Sequence, residues 1–268
     1  MDFTISVYGA HLLVPEEGRS VEKIMRAAAG LGFDGIDLGY YWKEEGKEAE
    51  MEEVKKIAAD LNLKLTNYIT GNNFGNAIAE DRLPAEIDKV KKALDEAAFF
   101  GCKNLRVFAG GYNLEWEKYS QPIADALASC VEHAEKNNVV MALEDHGALC
   151  KDSSEQLFYL TAVDSPFLRA TADIGNYRTP GGENSEWAVS ALAEAAVMVH
   201  VKDYVIINNK FTAVPSGEGI IELLESFRAL KNANYKGTLS LEYECSIGEP
   251  LHGITTSLSN MRRLWTLA

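Results

Sequence analysis

Eight short runs rich in β-branched and apolar residues recur along the 268-residue chain, each followed by a longer stretch of helical period. Few architectures accept that rhythm. Strands alternating with helices from end to end call for a parallel sheet with crossover helices, an α/β class. The strand candidates are Thr4 to Tyr8, Gly35 to Gly39, Lys64 to Ile69, Asn104 to Phe108, Val139 to Glu144, Leu168 to Asp173, Val197 to Lys202 and Thr238 to Glu242. Helical faces stand out between them, as in Met51, Val54, Ile57, Ala58 and Leu61, or Ile87, Val90, Leu94, Ala97 and Ala98. An eight-fold alternation over a length close to the ~250 residues of such barrels predicts a closed (β/α)8 barrel, with residues 1–268 as a single domain. The main rival, an open doubly wound sheet, would carry G-x-G-x-x-G after its first strand, where ISVYGAHLL stands instead. Within VIINNKFTAV, Asn208-Asn209 between two β-prone runs predicts a small hairpin after the seventh strand.

Charge narrows the function classes. Forty acidic against 26 basic residues give a net charge of -14, which repels a phosphate backbone. The basic pairs Lys55-Lys56, Lys91-Lys92 and Arg262-Arg263 lie in amphipathic segments, so a solvated helix face accounts for them and no nucleic-acid partner is expected. The four cysteines have no CxxC spacing, consistent with reduced thiols. MDFTISVYGA lacks the features of a signal peptide, and no stretch approaches the ~20 apolar residues of a membrane span. The expectation is a cytoplasmic protein without membrane contact, and a homo-oligomer is compatible with the sequence.

Four consecutive strand candidates end on residues that interrupt apolar runs: Glu144 in MALEDHG, Asp173 in ATADIGN, His200 in VHVKDY and Glu242 in LSLEYE. Their separations are 29, 27 and 42 residues, against roughly 31 per barrel unit, and the inserted hairpin explains the long one. Residues one unit apart become neighbours on the rim where such barrels gather their chemistry. A buried carboxylate must shift its pKa or find a cation. One shared divalent metal would serve all four; ion pairs with nearby Lys and Arg are the plainer alternative. Three carboxylates and an imidazole suit Mn²⁺ best, with Co²⁺, Mg²⁺, Fe²⁺ or Zn²⁺ also compatible.

These motifs, together with PSGEGII and a last helix ending LSNMRRLW, resemble the sugar phosphate isomerase and epimerase superfamily of xylose isomerase-like TIM barrels over nearly the whole chain. The resemblance implies that Glu144, Asp173, His200 and Glu242 bind the metal and that both glutamates move protons. It also exposes departures from the ketose epimerases. Asn176 stands where they carry a histidine, Ile206 where they carry an arginine, and Cys150 where they carry a second glutamate.

His146, two residues past Glu144, either contacts substrate and serves catalysis or is a turn histidine bonded to backbone. Lys202 either reaches a substrate oxygen or bridges to Glu144 or Glu242. Asn176 and His11 are candidate pocket residues, whereas His133 and His252 read as structural or solvated. Aromatic residues gather in the early loops, among them Tyr8, Tyr40, Tyr41, Trp42, Tyr68, Phe74, Tyr112 and Trp116, as a wall for a sugar ring would. The Ser216–Gly219 turn sits where barrels often bind phosphate, but Glu218 would repel one, so a non-phosphorylated carbohydrate or polyol is expected. The leading function is a metal-dependent isomerase or epimerase that abstracts a proton beside a carbonyl. The alternatives are a lyase or dehydratase acting on a keto-polyol or oxidised glycoside, and a non-catalytic sugar-binding subunit. A phosphodiesterase would need more than the five histidines present.

Overall fold

In the computed structural model, which describes residues 1–39, 47–179, 182–245 and 248–268, eight parallel strands close into one barrel. They are β1 (Asp2–Ser6), β2 (Gly35–Gly39), β3 (Lys64–Ile69), β4 (Asn104–Phe108), β5 (Val140–Glu144), β6 (Leu168–Asp173), β7 (Ala196–Val201) and β10 (Thr238–Leu241). The order round the barrel follows the sequence, and β1 closes it by pairing with both β2 and β10. The predicted hairpin is β8 (Asp203–Ile207) against β9 (Lys210–Val214). Asn208 and Asn209 turn it with φ of 51° and 58°, left-handed values that asparagine tolerates in a two-residue loop.

Strands buried on both faces read as near-continuous apolar runs because helices cover the outside and side chains fill the inside. The helix Leu83–Phe100 shows how the cover works, burying Val90, Leu94 and Ala97 at a spacing of three to four residues. Among the described residues, no helix is long and apolar enough to cross a membrane.

Three strands stop short of the sequence expectation: β1 at Ser6, β7 at Val201 and β10 at Leu241. The Ser6 hydroxyl accepts the Tyr8 backbone N–H at 3.3 Å and caps a short helix, Val7–Ala10, so β1 stops at Ser6. Tyr8 therefore stands on the mouth of the barrel rather than in a strand. Lys202 and Asp203 mark the junction of β7 with the hairpin, and each has a separate task. Asp203 is buried, and its carboxylate accepts the backbone N–H groups of Tyr204 and Ile221 on Oδ1 and of Gly217 and Gly219 on Oδ2, at 2.8 to 3.1 Å. The Ser216–Gly219 turn is thus folded round an anion the chain itself supplies.

An acceptor with four donors has no room for an N–H of its own. Asp203→Asn should leave at least one buried donor facing another donor, at a cost of about 2–3 kcal/mol. Urea unfolding monitored by circular dichroism would read this as a lower midpoint at unchanged slope.

Candidate metal centre and adjoining pocket

Side chains of residues in register on neighbouring parallel strands share a face, and pleat parity puts Glu144, Asp173 and His200 inside the barrel at one mouth. Asp173 pairs with His200, and His200 with Ser240, two residues before Glu242. Glu242 lies one residue past β10, yet its N–H still bonds to Val201 at 3.0 Å, which extends the strand geometry to it. One ligand atom from each of Glu144, Asp173, His200 and Glu242 lies within 4.8 Å of the others. His200 Nδ1 is 3.5 Å from Glu144 Oε1, 3.8 Å from Asp173 Oδ2 and 3.5 Å from Glu242 Oε1.

Two cations hold the outer oxygens of this set. Arg106, from the middle of β4, places its guanidinium 3.0 Å from Glu144 Oε2 and stacks on Phe108 with 3.8 Å to the ring centroid. Lys202 Nζ lies 2.8 Å from Asp173 Oδ2, 2.7 Å from Glu242 Oε2 and 3.0 Å from Glu244 Oε1. Tyr204 donates its hydroxyl to Glu244 at 3.0 Å. Asp173 is aimed from below, because its Oδ1 accepts the N–H groups of Gly175 and Asn176, and its own N–H goes to Asp145 Oδ1 at 2.8 Å. Asn176 donates to the Asp145 carbonyl at 2.9 Å and to Glu144 Oε1 at 3.3 Å, so it steadies the cluster.

The electrostatics follow from these neighbours. Burial disfavours the imidazolium of His200, but Glu242, Glu144 and Asp173 outweigh it and raise its pKa to about 9. Burial pushes Asp173 up to about 7, with Lys202 opposing and Glu242 and Glu144 adding to the rise. Burial also works against the charge of Glu144, yet Arg106 and His200 hold it well below the ordinary carboxylate range. Glu242 is likewise lowered against burial, by Lys202 and His200. Burial and the neighbouring Asp173 drive Asp145 far upward, towards its neutral form.

The cluster fits a divalent ion. Glu144, Asp173, Glu242 and Glu244 face two fixed cations, Arg106 and Lys202, which leaves two negative charges when His200 is neutral. Both ring nitrogens of His200 are buried without a hydrogen-bond partner, an unusual state for an imidazole unless one nitrogen is a ligand. The ion pairs leave the cluster open: on Glu144 and Glu242 the cations take the oxygen that faces away from His200, whereas Asp173 Oδ2 faces both Lys202 and His200.

Above the cluster opens a cavity of about 190 Å³, lined by Tyr8, Arg106, Phe108, His146, Lys202 and Glu244 together with the two glutamates. His146 stacks on Phe108 at 4.5 Å between centroids, and its Nδ1 lies 3.4 Å from the Tyr112 hydroxyl. It also borders a second cavity of about 200 Å³ with Tyr112, Lys151, Asn176 and Thr179.

Four residues expected at the pocket are elsewhere. Tyr68 points out of the barrel, stacks on Phe100 and donates its hydroxyl to Glu96 at 2.5 Å, where it lines a separate cavity on the helix layer. His11 bonds to the Tyr8 carbonyl and lines a third cavity with Arg19 and Glu50, because β1 has already ended. Phe74 is core, and Trp116 packs on Phe158 and Tyr159. Tyr40, Tyr41 and Trp42 lie outside the described residues. Conversely, Arg106, Glu244 and Asp37 are absent from the strand-end reading. Arg106 in NLRVF and Asp37 in GIDLG carry the same signal as the four clustered residues, a charge interrupting an apolar strand, but in mid-strand rather than at its end.

A family model described as a xylose isomerase-like TIM barrel matches residues 25–264. L-ribulose-5-phosphate 3-epimerase UlaE of Shigella flexneri is 23% identical over 235 residues, covering 81% of this chain and 80% of its own. The apo crystal structure of 3-keto-D-glucoside 4-epimerase YcjR from E. coli superposes with a TM-score of 0.78 at 20% identity, covering 98% of this chain and 99% of that one. The crystal structure of IOLI protein with a binding zinc atom gives a TM-score of 0.79 at 13% identity, covering 100% and 99%. At such identities the structural likeness shows the fold. The family match, by contrast, runs through seven of the eight barrel strands and every residue of the cluster, and it makes the chain a member of the xylose isomerase-like TIM barrel family.

Proposed function

We propose that this chain is a divalent-metal-dependent isomerase or epimerase that acts on a non-phosphorylated keto-sugar or polyol by moving a proton beside a carbonyl. The observation that carries the reading is the convergence of Glu144, Asp173, His200 and Glu242 under a cavity the size of a small polar molecule. The sugar epimerases among its relatives, one named for a phosphosugar and one for a keto-glucoside, support a sugar substrate. Against a phosphosugar stands the Ser216–Gly219 turn, whose Gly217 and Gly219 N–H groups already bind Asp203. Mn²⁺ best suits three carboxylates with one imidazole.

Bound among these four residues, the ion would polarise the substrate carbonyl and stabilise the negative charge that develops on its oxygen. The protein supplies the proton chemistry. Glu144 and Glu242 end β5 and follow β10, so they border the cavity from different sides. Arg106 and Lys202 keep them ionised as bases, each holding one oxygen and leaving the other to face the site. One accepts the proton from the substrate carbon, and the other side of the cavity returns it. His146 stands over the cavity with a pKa lowered by burial against the pull of Glu144, so at neutral pH it is a proton relay without a fixed charge. If His146 delivers its proton to a departing hydroxyl, the same site runs as a lyase, and product analysis separates the two outcomes.

Loading should depend on pH with a definite sign. A ligand set needs neutral His200 and ionised Asp173, whereas their pKa values of about 9 and about 7 keep protons on them in the metal-free protein. Both values are raised above the unfolded ones, so their contribution to metal-free stability is present at low pH and is lost as pH rises through 7 and then 9. Apparent Mn²⁺ affinity should rise about tenfold per pH unit between these values and more steeply below them. Competition titrations with a chromophoric chelator would measure this. A flat profile would remove His200 and Asp173 from the ligand set.

Glu144→Gln and Glu242→Gln keep an oxygen but remove the base. Each should slow deuterium uptake from D₂O into a keto-sugar substrate by about 100- to 10,000-fold, while Mn²⁺ affinity changes far less. Wild-type exchange in either variant would reduce that glutamate to a ligand.

A further inference from the structure

A carboxylate in the middle of a barrel is costly unless its charge is held, and Asp37 on β2 is fully buried. Its Oδ1 accepts from Thr66 Oγ1 at 2.7 Å and Asn67 Nδ2 at 2.8 Å. Its Oδ2 has no hydrogen-bond partner. The same is true of the Thr4 and Ser240 hydroxyls and of His200 Nε2. The four atoms belong to adjacent strands. Thr4, Ser240 and His200 are in register across β1, β10 and β7, and Asp37 stands against Ser6 on β1. Burial raises the Asp37 carboxyl, while hydrogen bonding from Ser240, Thr66 and Asn67 and the charge of His200 act against that rise, so the Ser240 hydroxyl lies beside the carboxylate and His200 within its electrostatic reach. Since His200 turns Nδ1 to the three carboxylates, Nε2 is on the far edge of the ring, away from them.

Buried polar atoms left without protein partners are the setting in which proteins hold internal water, usually with about three hydrogen bonds. We infer that Asp37 is a positioning residue for His200: one ordered water accepts the Nε2–H, donates to Asp37 Oδ2, and shares its remaining bonds with the Ser240 and Thr4 hydroxyls. This fixes the tautomer in which Nδ1 carries a lone pair towards the ligand set. The inference rests on the metal-binding reading of the site above. Metal-ligating histidines characteristically anchor their second nitrogen on a carboxylate, a carbonyl or water; here the anchor is a carboxylate through water. The relay is sensitive to the polarity of its last member. In Asp37→Asn, the oxygen stays with Thr66 and Asn67 while the new NH₂ takes the place of Oδ2. The water then accepts from residue 37 and loses the carboxylate that drew its proton, so its hold on the Nε2–H weakens and the tautomer with hydrogen on Nδ1 is no longer disfavoured.

The test uses Co²⁺ alone on the intact protein, titrated against a competing chelator and followed by its visible absorption. Asp37→Asn and Asp37→Ala should each weaken binding by about 10- to 100-fold, and Ser240→Ala by a few-fold. In ¹⁵N-histidine spectra of the Zn²⁺-loaded protein, His200 should show an Nε2–H that exchanges slowly with solvent in the wild type and markedly faster in Asp37→Asn. If both Asp37 variants bind Co²⁺ within twofold of wild type, or the wild-type Nε2–H exchanges as fast as that of Asp37→Asn, the relay is overturned and the metal site stands. If the wild type binds no Co²⁺, the metal reading falls and takes the relay with it. Should the Asp37 variants fail to fold, Ser240→Ala and the wild-type histidine spectrum decide between the same two outcomes.

Discussion

Charge neutrality inside a closed mouth governs this molecule. Barrel geometry gathers Glu144, Asp173 and Glu242 where water is largely excluded, and carboxylates cannot remain there without compensation. Arg106 and Lys202 supply part of it. The rest comes either as protons on His200 and Asp173, whose raised pKa values express that demand, or as a dication. Breaking one of these buried pairs would strand a charge, a loss of about 3–5 kcal/mol. The two cations therefore belong to the architecture of the site as much as to its chemistry.

Around that constraint the barrel divides its labour by pleat parity. Inward positions of β5, β6 and β7 carry Glu144, Asp173 and His200, with Glu242 continuing β10, and the loops after them carry what steadies the cluster. Asn176 ties the loop after β6 to Glu144, and Asp145 ties the loop after β5 to Asp173. The cavity wall is built differently, from Phe108 stacked between Arg106 and His146. A single aromatic ring thus joins the electrostatic support of one glutamate to the imidazole that overlooks the cavity.

The eight-fold alternation, the hairpin turn and the four clustered strand-end residues are legible in sequence because each rests on a local rule: period, turn chemistry, or a charge interrupting an apolar run. Arg106 and Asp37 obey the last rule too, but a charge in mid-strand gives no hint of its partner, which lies one or more strands away. Tyr68 could not be placed from composition alone. It pairs with Leu38 just beyond a register irregularity between β2 and β3, and one step of parity separates the barrel interior from the helix layer. His11 depended on where β1 ends, which the Ser6 cap decides. The departures at Asn176, Ile206 and Cys150 also find physical sense. Asn176 spends its amide on the cluster, Ile206 is an exposed hairpin residue, and Cys150 is buried.

The junction between β7 and the hairpin carries a consequence for how such a chain can vary. Within four residues it faces His200 to the ligand set, Lys202 to three carboxylates and Asp203 to the Gly217–Gly219 amides. Inserting or deleting one residue here would exchange inward for outward positions and undo all three at once. Loops at barrel mouths are ordinarily where length drifts between relatives. This one should be length-locked at its root, with indels admitted only towards the Asn208-Asn209 tip, so that diversification of the mouth is displaced outward along the hairpin.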